Sequence, residues 1–426
     1  MSSVSLIPRL PLLLFQLAKH MLSQALNKRS IFGLILNFAL NFSPVFIWLL
    51  MFKNAGIVPN EIRPTIHVKL AMSLDSFVFD PNRLSAWVSF LLIFTCSYLL
   101  WSYLYQVPHR AHFESGQEEH VLVSSTKNDE ENQLDNNVEM THLSQTGTIS
   151  EGSSGSSGSR RSSTDLPLTS SSQPTYLPLS CIYSAPVLIL ALCWPILNID
   201  HALIYPQTTI RDLLAWVSYV LFHFFAPLFT AIYLYVFQAP GAVKWFSFAL
   251  GTQNIAGVIT HMLFPNAPPW FIHLYGEDAA ANYDMPGYAA GLTRVDVALG
   301  THLNSKGFHK SPIVFGAIPS LHSAMAVQCM FFIAFYTKWR FPKVGMFVFV
   351  ILQWWATMYL DHHWRLDLII GLAYAIISFT IYKRRLEIVE RNFVKARLHG
   401  DFEAGSSYGM RVFRNHWLKR LFDPYF

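Results

Sequence analysis

The sequence is short of charge. Asp, Glu, Lys and Arg make up 13% of its 426 residues, where a soluble globular protein carries about 25%. A nucleic-acid-binding reading needs a soluble basic domain, and none is present, so no nucleic-acid partner is expected. Cysteine is scarce as well. Cys96, Cys181, Cys193 and Cys329 sit inside or at the edges of apolar runs with no CxxC spacing. They read as small buried hydrophobes rather than disulfides or metal ligands. There is no HExxH spacing, and no internal repeat of the kind many transporters carry. The apolar stretch from Leu10 to Leu17 is too short to span a bilayer and lacks a small-residue cleavage site, so no cleaved signal peptide is expected.

What the chain does have is hydrophobicity in long runs: 52% of residues are hydrophobic and 15% aromatic. A run of about 20 apolar residues matches the hydrocarbon thickness of a membrane. Eight such spans are expected, at about 31–52, 86–106, 182–198, 212–237, 241–263, 320–338, 344–362 and 366–383. Seven or nine spans are the alternatives, since the third is short and contains Pro195. The fold class is therefore all-α, a polytopic transmembrane helical bundle. Eight spans put both termini on one side, together with Lys28, Arg29, Lys338, Arg340, Lys343 and Lys383-Arg384-Arg385. The positive-inside rule makes that side cytoplasmic, although segment 53–85 on the other side also holds four basic residues.

The chain divides into four regions: an N-terminal membrane region over 1–107 with two spans, a loop over 108–180, a six-span core over 181–385, and a basic tail over 386–426. The loop runs through an acidic, amide-rich stretch into Ser/Gly repeats. That composition cannot bury enough apolar surface to offset chain entropy, so disorder is expected there. In the tail, Phe413, Trp417, Leu418, Leu421 and Phe422 alternate with Arg411, Arg414, Lys419 and Arg420. The mixture suits either a helix lying on the membrane surface or a frayed end.

Two polar clusters are brought together by the topology. Pro319-Ser320-Leu321-His322-Ser323 opens the sixth span, and His362-His363-Trp364-Arg365-Leu366-Asp367 forms the turn between the seventh and eighth. One span goes down and the next returns, so both clusters finish at the same, non-cytoplasmic face. Ser320 is a good N-cap. The hydroxyls of Ser320 and Ser323, the open N–H groups of the first turn and the helix dipole all favour an anion. His363 and Asp367 are four apart and share a helix face. A carboxylate there can fix the imidazole tautomer and raise the basicity of the other ring nitrogen, leaving a nucleophile or base aimed where His322 is. Zinc bound by His322, His362, His363 and Asp367 is the rival chemistry; without the usual spacing, no metal and no cofactor are expected.

These residues resemble the lipid phosphate phosphatase superfamily. Pro319-Ser320-Leu321-His322 is similar to its second motif, and Tyr359, His363 and Asp367 to its third. Ala356, Thr357 and Asp361 stand where that third motif has Ser, Arg and Gly. The basic first motif has no true match; Lys53 with Arg63-Pro64 is only an echo at the wrong spacing. A closer resemblance is to the fungal inositol phosphorylceramide synthases and, more so, to their sister family, the fungal inositolphosphotransferases. It is carried by Asp212-Leu213-Leu214-Ala215-Trp216, Ala267-Pro268-Pro269-Trp270, Gly291-Leu292-Thr293-Arg294-Val295-Asp296, Gly300-Thr301-His302-Leu303-Asn304, and Tyr359-Leu360-Asp361-His362-His363. Asp361 separates the two families, since the synthase pattern has Thr before its His pair.

The resemblance implies an enzyme of sphingolipid synthesis in the Golgi membrane, with its active site in the lumen. Phosphatidylinositol would donate inositol phosphate to mannosyl-inositolphosphoceramide, and diacylglycerol would leave; ceramide as acceptor is the alternative. Its partners would be these membrane lipids, and the sequence is silent on protein partners. His363 would be the nucleophile, Asp367 its orienting carboxylate and His322 the general acid and base. With the motif arginine missing, Arg294, Arg365 and Arg63 are the candidates to hold phosphate. Asp361, His362, Trp270 and Tyr275 would contact the head groups, with Asp284 and Asp296 as further acceptors for sugar hydroxyls. A lipid phosphatase and a transporter are the remaining rivals.

Overall fold

The computed structural model describes residues 10–27, 30–80, 204–337 and 339–425, with isolated positions 82, 88, 91 and 95. The expected spans at 86–106 and 182–198, apart from those isolated positions, and the loop at 108–180 lie outside the described residues. Among the described residues the structure is helical, and the only β features are two isolated bridges, His67 with Asn266 and Asn266 with Gly316. The principal helices are α1 (Leu10–Leu26), α2 (Ile31–Asn41), α3 (Ser43–Asn54), α4 (Leu70–Phe79) and α5 (Thr209–Phe237). They are succeeded by α6 (Ala242–Leu263), α7 (Pro269–Tyr275), α8 (Leu292–Leu299), α9 (Leu303–His309) and α10 (Leu321–Tyr336). The chain ends with α11 (Arg340–Tyr359), α12 (Arg365–Leu398) and α13 (Tyr408–Val412).

Among the described residues three helices, α5, α11 and α12, are long and apolar enough to cross a membrane. The expected first span is bent: α2 and the run Ser43–Ile57 meet at 60° and are long and apolar enough together to cross a membrane. Pro44 stands at the start of α3, where it cannot donate to the preceding turn, so the break falls in front of it. The expected spans at 241–263 and 320–338 appear as α6 and the shorter α10. The last expected span continues to Leu398 as part of α12. The outer face of α5 presents Phe224, Leu228, Phe229 and Ile232, the composition a lipid-facing surface requires.

Helix α10 is the centre of the bundle. Nearly all of it is buried, from Ser323 to Tyr336, against α5, α6, α11 and α12. In lipid, such packing rests on close van der Waals contact and interhelical hydrogen bonds rather than on expulsion of water. Small residues set those contacts. A Cβ on Gly371 of α12 would collide with the carbonyl oxygen of Ser320 at the head of α10. One on Gly251 of α6 would meet the backbone of Pro44 and Val45. Between helices, the Ser378 hydroxyl donates to Ala249 O at 2.8 Å and the Ser218 hydroxyl to Gln353 Oε1 at 3.0 Å.

The tail is folded onto the bundle rather than frayed. Arg397 grips Asp423 through two hydrogen bonds of 2.8 and 2.9 Å, and Tyr425 donates to Glu390 at 2.7 Å. The Phe422 ring stacks between Phe413 and Phe237, each 5.0 Å away. Helix α1 joins the same end: His20 Nε2 bonds Val412 O at 2.8 Å. Of the apolar residues that suggested a surface helix, Phe413 and Phe422 seat the tail against the end of α5, while Trp417 and Leu421 stay exposed. Both ends of the described chain therefore gather at one end of the bundle. The polar turns singled out in the sequence gather at the other.

Candidate active site

Two turns build the site. The first enters α10. Ser320 caps that helix, its hydroxyl accepting from Ser323 N at 3.3 Å. The capping turn is tied across to α12: Ser320 N donates to Asp367 O at 3.0 Å, and the Ser323 hydroxyl donates to Leu368 O at 2.7 Å. From behind, His261 at the end of α6 bonds Pro319 O at 2.8 Å. The short side chains at 320 and 323, with Gly371 opposite, are what let the two helix starts approach this closely.

The second turn joins α11 to α12. Asp361 takes a left-handed conformation, φ +66°, which Asp tolerates better than most residues. A family pattern with Gly at this position is readily understood, since the backbone turns through a region Gly enters freely. The reversal lets Thr357 O accept from both His362 N and His363 N, at 3.0 and 3.4 Å. Asp367, in the first turn of α12, reaches back to cap the helix, its Oδ2 accepting from Trp364 N at 2.8 Å.

His363 is fixed by the same geometry. Its Nδ1 lies 3.1 Å from Ala317 O and 3.4 Å from Asp367 Oδ2. Both partners are acceptors, so Nδ1 carries the proton, a tautomer assigned from the bonding pattern. Nε2 is then the nitrogen with the lone pair. The His322 ring lies beside the His363 ring, with centres 5.7 Å apart. The sequence expectation that positions 322, 363 and 367 meet at one end of the bundle is what the structure places there.

The surroundings are aromatic. Tyr219 of α5 stacks on His322 at 4.1 Å and on His362 at 5.0 Å. His223, one turn further along, lies 4.3 Å from His322. Phe308 closes the far side of His362 at 4.7 Å, and His362 Nε2 bonds Ala289 O at 3.2 Å. Motif reading missed Tyr219, His223 and His261, which belong to no recognisable pattern. One signal was available: His223 is an ionisable residue inside a span, which is scarce and usually functional.

The remaining expected residues are engaged elsewhere or held in the framework of the turns. The hydroxyls of Ser320 and Ser323 are buried in the bonds just described. Arg294 is bound to Asp212, its Nε donating at 2.8 Å, and Tyr359 donates to the same Asp212 oxygen at 2.9 Å. Arg365 clamps Asp75 of α4, with Nε and the terminal nitrogen at 2.9 and 2.6 Å. Arg63 donates to the carbonyls of Val58 and Ala55, both at 3.0 Å, and sits over Tyr283 beside a cavity of about 430 Å³ that His261 also lines. Trp270 is buried against Phe271 and Tyr288 and offers no open face, whereas Tyr275 is half exposed.

Three carboxylates outside the spans have settled roles. Asp361 bonds His273 at 2.8 Å, and that bond raises the His273 pKa against the opposing effect of burial. Asp296, a candidate for sugar hydroxyls, has its oxygens taken up within the protein. It is buried and accepts five hydrogen bonds, from Thr301, Asn304 and Ser305. Burial alone would raise its pKa; these donors overcome it and hold the carboxyl at about 2. Asp284 is exposed and accepts from Asn60 at 2.9 Å. Among the described residues no group of three or more His, Cys, Asp or Glu converges as a metal-binding set.

The model of the PAP2 superfamily matches residues 195–381, which contain both turns. Inositolphosphotransferase 1 of Saccharomyces cerevisiae is 32% identical, over 95% of this chain and 98% of its own. Inositol phosphorylceramide synthase of Candida albicans is 41% identical over 44% of this chain and 39% of its own. The catalytic subunit of that synthase from S. cerevisiae is 42% identical over 43% of this chain and 46% of its own. No solved structure matches. The synthases thus share a segment, while the inositolphosphotransferase aligns from end to end. With a histidine pair and its carboxylate meeting at one end of a membrane helical bundle, the chain belongs to the inositolphosphotransferase family of enzymes, within the PAP2 superfamily.

Proposed function

We propose that this enzyme transfers inositol phosphate from phosphatidylinositol to mannosyl-inositolphosphoceramide, releasing diacylglycerol, through a phosphohistidine at position 363. The observation that carries the chemistry is the commitment of His363 Nδ1–H to Ala317 O and Asp367 Oδ2. It leaves Nε2 as a nucleophile opposite His322. In the first step Nε2 bonds to phosphorus, the phosphorus–oxygen bond to diacylglycerol breaks, and His322 gives its proton to the departing oxygen. In the second step His322 takes the proton of the acceptor hydroxyl. That oxygen bonds to phosphorus and the phosphorus–nitrogen bond breaks. Asp367 offsets the positive charge His363 carries in between. Acid–base help of this kind is worth about 10²- to 10⁴-fold in rate.

The choice of acceptor rests on the end-to-end similarity to an inositolphosphotransferase, against the partial similarity to the synthases. The membrane side rests on charge. Helix α11 starts at Arg340 and ends at Tyr359, beside the histidines, so the basic connection before it lies at the opposite end of the bundle. The positive-inside rule puts that end, with both termini, in the cytoplasm. The histidines then face the lumen, which we assign to the Golgi.

The test uses purified protein in mixed micelles with inositol-labelled phosphatidylinositol. Mannosyl-inositolphosphoceramide, ceramide or no acceptor is added, and products are read by mass spectrometry. Label is expected in a diinositol sphingolipid with the first acceptor only. Equal use of ceramide, or release of labelled inositol phosphate to water alone, would overturn the assignment.

A further inference from the structure

Phosphoryl transfer develops charge on the phosphate oxygens, and that charge needs donors aimed at it. The three arginines the sequence offers are all engaged elsewhere: Arg294 with Asp212, Arg365 with Asp75, and Arg63 with backbone carbonyls. The groups that do surround His322 and His363 are aromatic and imidazole rings. One of them stands out. His223 lies in α5, inside a membrane-crossing helix, 4.3 Å ring to ring from His322. Its Nδ1 is sealed from solvent and meets no hydrogen-bond partner among the described residues. An orphaned buried polar atom costs about 1–3 kcal/mol and calls for an explanation in a native protein.

The local backbone gives one. Residues Val217–Phe222, directly before His223, form a π-helical turn. Such a turn inserts a residue into the helix, rotates the later turns relative to the earlier ones, and recurs at functional sites. Here it accompanies the placing of Tyr219 and His223 together on the His322 side of α5. A helix built only to fill the bilayer would need neither the irregular turn nor a polar ring at this depth.

We propose that His223 is a substrate contact: its Nδ1–H donates to a non-bridging oxygen of the phosphodiester that His363 attacks, supplying part of what an arginine would otherwise provide. The inference rests on the phosphoryl-transfer reading of the site. It assigns the polar atom that the protein leaves unpaired to the anionic group of the lipid donor.

The experiment compares wild type, His223→Phe, His223→Asn and His363→Ala, purified in detergent, by thermal unfolding and by turnover with phosphatidylinositol. His223→Phe keeps an aromatic ring and removes the orphaned nitrogen, so its stability is expected at or above wild type. Its kcat is expected to fall on the order of 100-fold, the usual loss for one donor to developing charge, with KM little changed. His223→Asn, which keeps an N–H near the same position, is expected to recover part of that loss. Wild-type kcat in His223→Phe would overturn the proposal. So would a loss that tracks lowered stability with no rescue by Asn, which would place the partner of Nδ1 inside the protein. His363→Ala separates the two levels. If it is inactive while His223→Phe is unaffected, only the His223 assignment fails. If it is active, the phosphoryl-transfer reading itself fails.

Discussion

Asp367→Asn isolates charge from geometry. The carboxylate has two roles, and only one needs its charge. Its Oδ2 accepts from Trp364 N at 2.8 Å to cap α12, and an amide oxygen can do the same. The other, in the proposed mechanism, is to sit 3.4 Å from His363 Nδ1 and steady the positive ring of the phosphohistidine. Opposite charges about 4 Å apart at an effective dielectric constant of about 20 interact by about 4 kcal/mol, which corresponds to about 10³-fold in rate. Loss of an orienting carboxylate that also sets the tautomer costs about 10⁴-fold in a serine protease. Here Ala317 O, 3.1 Å from the same Nδ1, continues to set the tautomer. The expected fall in kcat is therefore about 10²- to 10³-fold, with unchanged thermal stability. The assay is labelled phosphatidylinositol turnover in mixed micelles, with folded protein quantified by size exclusion and thermal scan. Wild-type turnover in a folded Asp367→Asn protein would show that the carboxylate charge plays no part in the reaction.

Three other perturbations probe the framework around the site. Gly371→Ala pushes a methyl group into Ser320 O, and overpacking of this sort costs about 1–3 kcal/mol; a thermal scan in detergent should show it, together with lost activity as the two helix starts separate. Asp296→Ala strips five hydrogen bonds from residues 301–305 and leaves half-buried donors without their acceptor, at about 1–3 kcal/mol; unchanged stability would mean that this segment is held by something else. The His273–Asp361 bond raises the His273 pKa, so its stabilising contribution is present in full below about pH 6.5 and fades as pH rises through the raised folded value. His273→Gln should flatten that part of the stability–pH curve.

Hydropathy alone is enough to place the two polar turns at one end of the bundle, because alternating spans leave no other choice. The pairing of His363 with Asp367 is legible in a spacing of four, and the cap at Ser320 in local chemistry. The bend at Phe42 is signalled by Pro44 but is hidden in a hydropathy plot, which registers only the continuous apolar run. The folded tail is not legible because the Phe422 contacts depend on Phe237 and Phe413 meeting it in space. Burial of Trp270 and saturation of Asp296 are hidden for the same reason: a sequence shows which residues can bond, not which bonds are already made. The arginines show this most clearly. Each is a reasonable phosphate ligand by type, and each is held by a carboxylate or a carbonyl that no motif names.

In the proposed mechanism His363 becomes covalently bonded to phosphorus. Rapid quench of the enzyme with phosphatidylinositol in the absence of acceptor, under neutral conditions that preserve phosphoramidates, with peptide mass spectrometry of the quenched protein, tests it directly. An inositol-phosphate adduct on His363, absent in His363→Ala and discharged when acceptor is added, is the expected result. An adduct on another residue, or product formed in one step with inversion at phosphorus, would contradict it.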